Sequence, residues 1–266
     1  MSRGRLFAAA AGLALGALVL FLALPVVSIF TDVAPSELVA ALGEEGALEA
    51  LRLSLIASAI ALAVILLVGT PAAYLLGTRR FRGRNLLVTL IELPLVLPPA
   101  VAGIGLLAAL GPGGPLGGAL EDAGVELVFE TAGVIVALVF VASPFYVRQA
   151  QVAFAALDPD LVAAARTLGA GEGRAFIAVA VPAAAPGLAS GAVLSWGRAL
   201  GEFGATLVFA GSFQGITQTA PLAIVAQFGT DFTGALALSA VLVALSAALL
   251  LAVKLLPSSQ SVIGRA

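Results

Sequence analysis

DPDLVAAARTLGAGEGRAFIAVAVP, from Asp158 to Pro182, is a polar insert between two apolar stretches of membrane-crossing length. It carries Asp158, Asp160, Arg166, Glu172 and Arg174, with Gly169, Gly171 and Gly173 closely spaced among them. So many charges do not sit in hydrocarbon, so the insert belongs to an aqueous face and its flanks to the bilayer. The local pattern predicts a short helix with Asp158 as N-cap and Pro159 at the first helical position. Small residues follow at Ala163, Ala164 and Ala165, and Gly169 supplies a turn with the positive φ that a side chain resists. A second helix is expected to return toward the membrane and to stop near Pro182. A helix held across a membrane face by a tight turn is a rigid knob, suited to a groove on another protein.

The rest of the chain agrees with that division. It has 266 residues, 61% hydrophobic and 11% charged, against roughly 25% charged in a soluble domain. Mean hydropathy is +1.13, and the expected fold is an all-α, polytopic membrane protein forming one domain over 1–266. There is no Cys and no His, which excludes disulfides, thiolate or imidazole metal sites, thiol nucleophiles and Ser-His-Asp chemistry. The sole lysine, Lys254, follows no glycine-rich loop, so the chain lacks the phosphate-binding G-x-x-x-x-G-K-[ST] motif. It holds no cofactor of its own, and energy from ATP has to come through a partner. No basic run with interleaved aromatics points to nucleic acid. Acid pairs do not recur across the apolar stretches, which argues against an intramembrane enzyme. The near candidates for ion coupling are only Arg52, Glu92 and the Arg198/Glu202 pair, few for a secondary transporter or channel.

Six apolar stretches, 6–30, 51–77, 86–110, 131–150, 187–210 and 233–256, are each long enough for a ~30 Å core at ~1.5 Å per residue. The first exceeds a signal-peptide core and reads as an uncleaved span. With the N-terminus inside, the inner segments hold Arg3, Arg5, Arg79, Arg80, Arg82, Arg84, Arg148, Arg166, Arg174, Lys254 and Arg265, which is 11 of 13 basic residues. The outer segments are acidic, with Asp32, Glu37, Glu44, Glu45 and Glu49 in the first and Glu121, Asp122, Glu126 and Glu130 in the second. The positive-inside rule therefore predicts six spans with both termini cytoplasmic, in a prokaryotic plasma membrane. A short surface helix is expected between Thr31 and Ala50, and a short amphipathic piece after the Pro/Gly run at 111–118. Part of 211–232 is expected to re-enter or pack at membrane depth. Arg79, Arg80, Arg82 and Arg84 are expected to set topology and touch anionic lipid, with an ATPase contact as the alternative.

The spacing Ala163-Ala164-Ala165, three residues, Gly169, nine residues, Val179-Ala180-Val181-Pro182 resembles the "EAA loop" of ABC importer permeases. It departs from that pattern at Ala163, where the family most often carries Glu, so that acidic contact point is absent. The resemblance implies a type I ABC importer permease fold. Its cytoplasmic coupling loop spans about 155–182 and meets the ATPase through Asp158, Ala163, Ala164, Ala165, Leu168, Gly169, Ala170 and Pro182. Two further stretches, IELPLVLPPAVAGIGLLAALG (Ile91 to Gly111) and SWGRALGEFGATLVFAGSFQGITQTAPLAI (Ser195 to Ile224), resemble the molybdate/tungstate and sulfate permease group. That likeness implies a homodimer bound to two ATP-binding cassette subunits, which hold ATP and Mg, and fed by an external oxyanion-binding protein. Molybdate or tungstate is the expected cargo, with sulfate or thiosulfate as the alternative.

Candidate pathway or gate residues are Pro94, Pro98, Pro99, Arg198, Glu202, Thr206 and Gln218. Arg198 and Glu202 lie one helical turn apart, and either charge alone at the bilayer centre costs ~2.5–3.5 kcal/mol on insertion scales. They either hold a gate-forming helix or form a structural ion pair. The prolines free backbone carbonyls and shape the pathway wall, or kink a packed helix. Thr206, Ser212, Gln214, Thr217, Gln218 and Thr219 offer neutral hydrogen bonds to a tetrahedral oxyanion, or bond within the protein. Glu92 is expected to snorkel or pair, and Tyr74 and Trp196 to sit in the interfacial belt or the core.

Overall fold

The computed structural model describes residues 3–43 and 46–255. Glu44, Glu45, Arg265 and the two chain ends, which the charge argument uses, lie outside them. In order the helices are α1 (Arg3–Thr31), α2 (Pro35–Gly43), α3 (Ala47–Thr78), α4 (Arg84–Val96), α5 (Pro99–Leu110), α6 (Gly117–Asp122) and α7 (Thr131–Ala155). They continue as α8 (Pro159–Thr167), α9 (Glu172–Ala175), a π turn (Phe176–Ala180), α10 (Val181–Leu200), α11 (Gly204–Ala210), α12 (Ala220–Phe228) and α13 (Phe232–Leu255).

The core is built on α7, held between α3 and α10. Along α3 the buried residues Leu51, Ser54, Ala57, Ser58, Ala61, Ile65, Gly69, Ala73 and Leu76 recur every three or four positions and so form one face. Small side chains let that face approach α7 closely. A Cβ on Gly69 would stand 3.0 Å from the Tyr146 ring, and one on Gly77 would stand 2.8 Å from the Gln151 carbonyl. Hydrogen bonds tie the same helices together: Thr70 Oγ1 to Tyr146 Oη at 2.6 Å, Ser195 Oγ donating to Ala142 O at 2.9 Å, and Trp196 Nε1 donating to Ser58 Oγ at 2.9 Å. Trp196 is thus an interhelical bridge and Tyr74, described below, a packing residue.

All six apolar stretches fold as helix, though not as six straight spans. α1, α3, α7 and the continuous helix from Glu172 to Leu200 are long and apolar enough to cross a membrane, and α13 is apolar over Phe232–Ala248. The third stretch is instead broken, with α4 and α5 meeting at 119°. Leu97, which precedes a proline, is extended at φ −71° and ψ 131°, and Pro98 is extended at φ −55° and ψ 135° before Pro99 opens α5. Two successive prolines deny the helix its donors and its geometry. The fifth stretch also differs. It starts well before 187, at Glu172, and stops at Leu200, with 204–210 a separate helix.

The three connections contain the short helices α2, α6 and α12. α12 buries Ala220, Leu222 and Ala223, and Ala220 and Ala223 pack with Ala47, Ala50, Leu51 and Leu238. The backbone N–H of Ala220 is capped by Ser54 Oγ at 2.7 Å.

Candidate functional site

The polar insert folds as a knob whose two ends are both capped. Asp158 is extended and its carboxylate accepts from Asp160 N at 2.9 Å, with Pro159 at the first helical position. At the far end Gly169 takes φ 90°, and Ala170 N donates to Ala165 O at 3.0 Å while Gly169 N donates to Arg166 O at 3.0 Å. This 6→1 closure is the left-handed helix ending that favours glycine. Between the caps α8 has no buried residue. Ala163 and Ala164 are exposed, Ala165 and Ala170 half-buried, and Leu168 holds an apolar side chain 89% exposed.

Pro182 does not stop the returning helix. The chain runs from α9 through the π turn into α10, with Val181 N donating to Phe176 O, five residues back. Widening the turn just before Pro182 makes room for its ring and missing donor, so the helix passes through it. The knob is seated on aromatic rings. Tyr74 lies 5.3 Å from Phe154, edge to face, and 4.8 Å from Phe176, joining α3, α7 and the π turn. Glu172 reaches Arg79 at 2.8 Å and Arg166 at 3.7 Å, and Arg84 Nε caps Leu76 O at 2.7 Å. Glu92 is paired with Arg148 at 3.2 Å.

The second cluster lies where α10 breaks into α11. Arg198 Nη2 stands 2.6 Å from Glu202 Oε2, an ion pair not aligned as an N–H···O bond, and the Glu202 side chain is wholly buried. The pair does not run along one helix as expected, because Gly201, Glu202 and Phe203 are not helical. Glu202 Oε1 accepts from Ala205 N at 2.6 Å, so the buried carboxylate caps α11 while it neutralises Arg198. Thr206 turns back on Phe203 O at 2.9 Å. α5 is pressed against this break. A Cβ on Gly204 would meet Pro99 Cβ at 2.7 Å, and one on Gly103 would meet Val208 Cβ at 2.7 Å.

Pro99, Arg198, Glu202 and Thr206 therefore come together, Pro98 forms the bend beside them, and Pro94 lies in the last turn of α4. Gln218 belongs to another group, donating to Ser212 Oγ at 3.3 Å. Thr217 Oγ1 likewise accepts from Phe213 N at 3.0 Å, so most of these polar side chains bond within their own loop.

Residues 69–261, which include the capped knob and the broken helix, match the family described as binding-protein-dependent transport system inner membrane component. The chain belongs to that family. This permease is similar to molybdenum transport system permease protein ModB of Mycobacterium tuberculosis, 42% identical over 235 residues that cover 88% of this chain and 89% of that protein. It is also similar to the probable transport system permease protein NifC of Clostridium pasteurianum, 36% identical over 232 residues, 87% of this chain and 81% of the other. Molybdate/tungstate transport system permease protein WtpB of Pyrococcus abyssi is 36% identical over 195 residues, 73% of each chain. In fold the permease resembles a chain of the bacterial alginate ABC transporter crystallised with an alginate-pentasaccharide-bound periplasmic protein. The TM-score is 0.73 at 16% identity, over 94% of this chain and 93% of that one. A chain of the inward-facing MetNI methionine ABC transporter gives 0.57 at 20% identity, over 79% and 91%.

Two features of the permease escape sequence reasoning: the aromatic seat under the knob and the Arg79–Glu172 tie. Tyr74, Phe154 and Phe176 are separated by 80 and 22 positions, and no local pattern pairs them.

Proposed function

We propose that this chain is the membrane-spanning subunit of an ATP-driven importer of molybdate or tungstate. It works as a homodimer with two ATP-binding cassette subunits and an external oxyanion-binding protein. The observation that carries the reading is the knob at 158–170: capped at both ends, seated on packed rings, and presenting Leu168 and small alanines outward. Rigid backbone with exposed small and apolar residues suits a groove on a partner, because little conformational entropy is left to lose on docking. The names of the similar permeases supply the cargo. The residues for docking are Asp158, Ala163, Ala164, Ala165, Leu168, Gly169 and Ala170, with Pro182 marking the return into the bilayer.

In this mechanism the chain performs no chemistry. Its partners bind ATP and Mg, and their closure draws two knobs together. Motion passes from α8 through the Tyr74–Phe154–Phe176 contacts to α3, α7 and α10. The break around Glu202, backed by Pro99, lets α11 and the bent α4–α5 pair move as units between inward-open and outward-open states. Charge placement supports cytoplasmic termini and a cytoplasmic knob, in a prokaryotic plasma membrane.

The test is reconstitution of the permease with its ATPase and binding protein in vesicles, with ATP hydrolysis measured against molybdate, tungstate and sulfate. Stimulation by molybdate or tungstate above sulfate is expected. Hydrolysis by the purified permease alone would overturn the division of labour, and labelling of Leu168→Cys only from outside intact cells would overturn the topology.

A further inference from the structure

Behind the knob, between the end of α3, the end of α7 and α8, lies a cavity of about 680 Å³. Arg79, Arg80, Arg84 and Arg166 line it, with Asp158 the one acid in its wall. Glu172 pairs with two of these arginines from the side, so four cations face two acids and two positive charges are left over. Arg84 uses Nε on the Leu76 carbonyl, which leaves its Nη groups. Arg80 is exposed and makes no ion pair among the described residues. Apolar side chains also line it: Tyr74, Leu157 and Val162, half-buried, over the buried Phe154.

The surroundings say what kind of anion fits. α3 has 32 residues, about 48 Å at ~1.5 Å per residue, against a ~30 Å hydrocarbon core. Its arginine end therefore emerges into the headgroup layer. A second hollow of about 330 Å³ shares Arg80 and Arg84 and is bordered by Phe81 and Leu86, which are 45% and 64% exposed. Arginines interleaved with exposed apolar side chains match a headgroup layer, where cations meet phosphate and apolar groups dip toward the acyl chains. A soluble anion would gain nothing from the apolar wall.

We infer that the cavity holds the phosphate headgroup of an anionic phospholipid, bound by Arg80 and Arg84, with its glycerol and acyl part against Tyr74, Leu157 and Val162. The lipid braces α8 against α3 and so stiffens the knob. This rests on the reading that the knob faces the cytoplasm and meets an ATPase.

Native mass spectrometry of the detergent-purified permease, with its ATPase where that copurifies, counts retained phosphatidylglycerol. The count is read whether or not transport is ATP-driven, so its failure is distinct from failure of the importer reading. Arg80→Gln is expected to weaken retention about fivefold, the value of one arginine at an anionic headgroup. Arg82→Gln removes the same charge outside the cavity wall and is expected to retain lipid like the wild type. In vesicles of equal parts phosphatidylcholine and phosphatidylglycerol, ATP hydrolysis should exceed that in phosphatidylcholine alone for wild type and Arg82→Gln, and not for Arg80→Gln. Equal losses in the two variants would show general surface charge and overturn the site. Inorganic phosphate substituting for phosphatidylglycerol would assign the cavity to a soluble anion instead. Loss of the ATPase with lipid retained in Arg80→Gln would assign it to the partner protein.

Discussion

The knob and the break at Glu202 both interrupt helices, but they are held in opposite ways. The knob is exposed and closed by local backbone devices, an Asp cap at one end and a left-handed glycine at the other. The break is held around a wholly buried Glu202 carboxylate, paired with the partly exposed Arg198, and by long-range packing of Gly204 onto α5. Substitutions in the knob are therefore expected to leave the fold's stability almost unchanged, and substitutions at the break to lower it.

The sharpest way to break this contrast is Arg198→Met. It strands the buried Glu202 carboxylate and is expected to destabilise by about 3–5 kcal/mol, read as a lower thermal midpoint in detergent. Adding Glu202→Gln should recover most of the loss; a double variant as unstable as the summed singles would show the two charges act independently. Gly204→Val comes next, at about 1–3 kcal/mol from overpacking against Pro99. The same melting assay checks it, together with a fall in transport.

Smaller effects are expected at the knob. Gly169→Val forces a β-branched side chain to φ 90° and costs about 1–2 kcal/mol locally. The midpoint should stay near wild type while copurification of the ATPase falls. Asp158→Ala removes one cap bond, about 1 kcal/mol, and should raise amide exchange in α8 alone. Smallest is Glu172→Gln, a solvent-exposed pairing worth about 0–1 kcal/mol, expected to leave both the midpoint and ATPase retention almost unchanged. If the knob variants lowered the midpoint as much as Arg198→Met, the contrast would fail.

The knob was legible because its signals are local. Asp158-Pro159 and Gly169 dictate caps within a few residues, and the structure has them in those roles. Pro98-Pro99 is legible only as an interruption, whereas the 119° bend at that point goes with α5 packed closely against α11. Pro182 reads in the sequence as a stop, but a π turn, which no residue in 176–180 announces, lets the helix pass. Charge and proximity pair Arg198 with Glu202, but they do not show Glu202 as a cap on a separate helix. That role follows from Gly201 ending α10 and Ala205 presenting its N–H.

Apolar length, charge asymmetry and cap residues by themselves determined an all-helical membrane chain carrying one rigid polar knob, because each acts over a few residues or one crossing. Tertiary structure alone decided which helices sit against α7, how sharply the third stretch folds back, and which rings and cations lie beneath the knob. Those outcomes depend on side chains brought together from distant positions, where glycine and alanine permit close approach and a neighbour supplies the missing hydrogen bond.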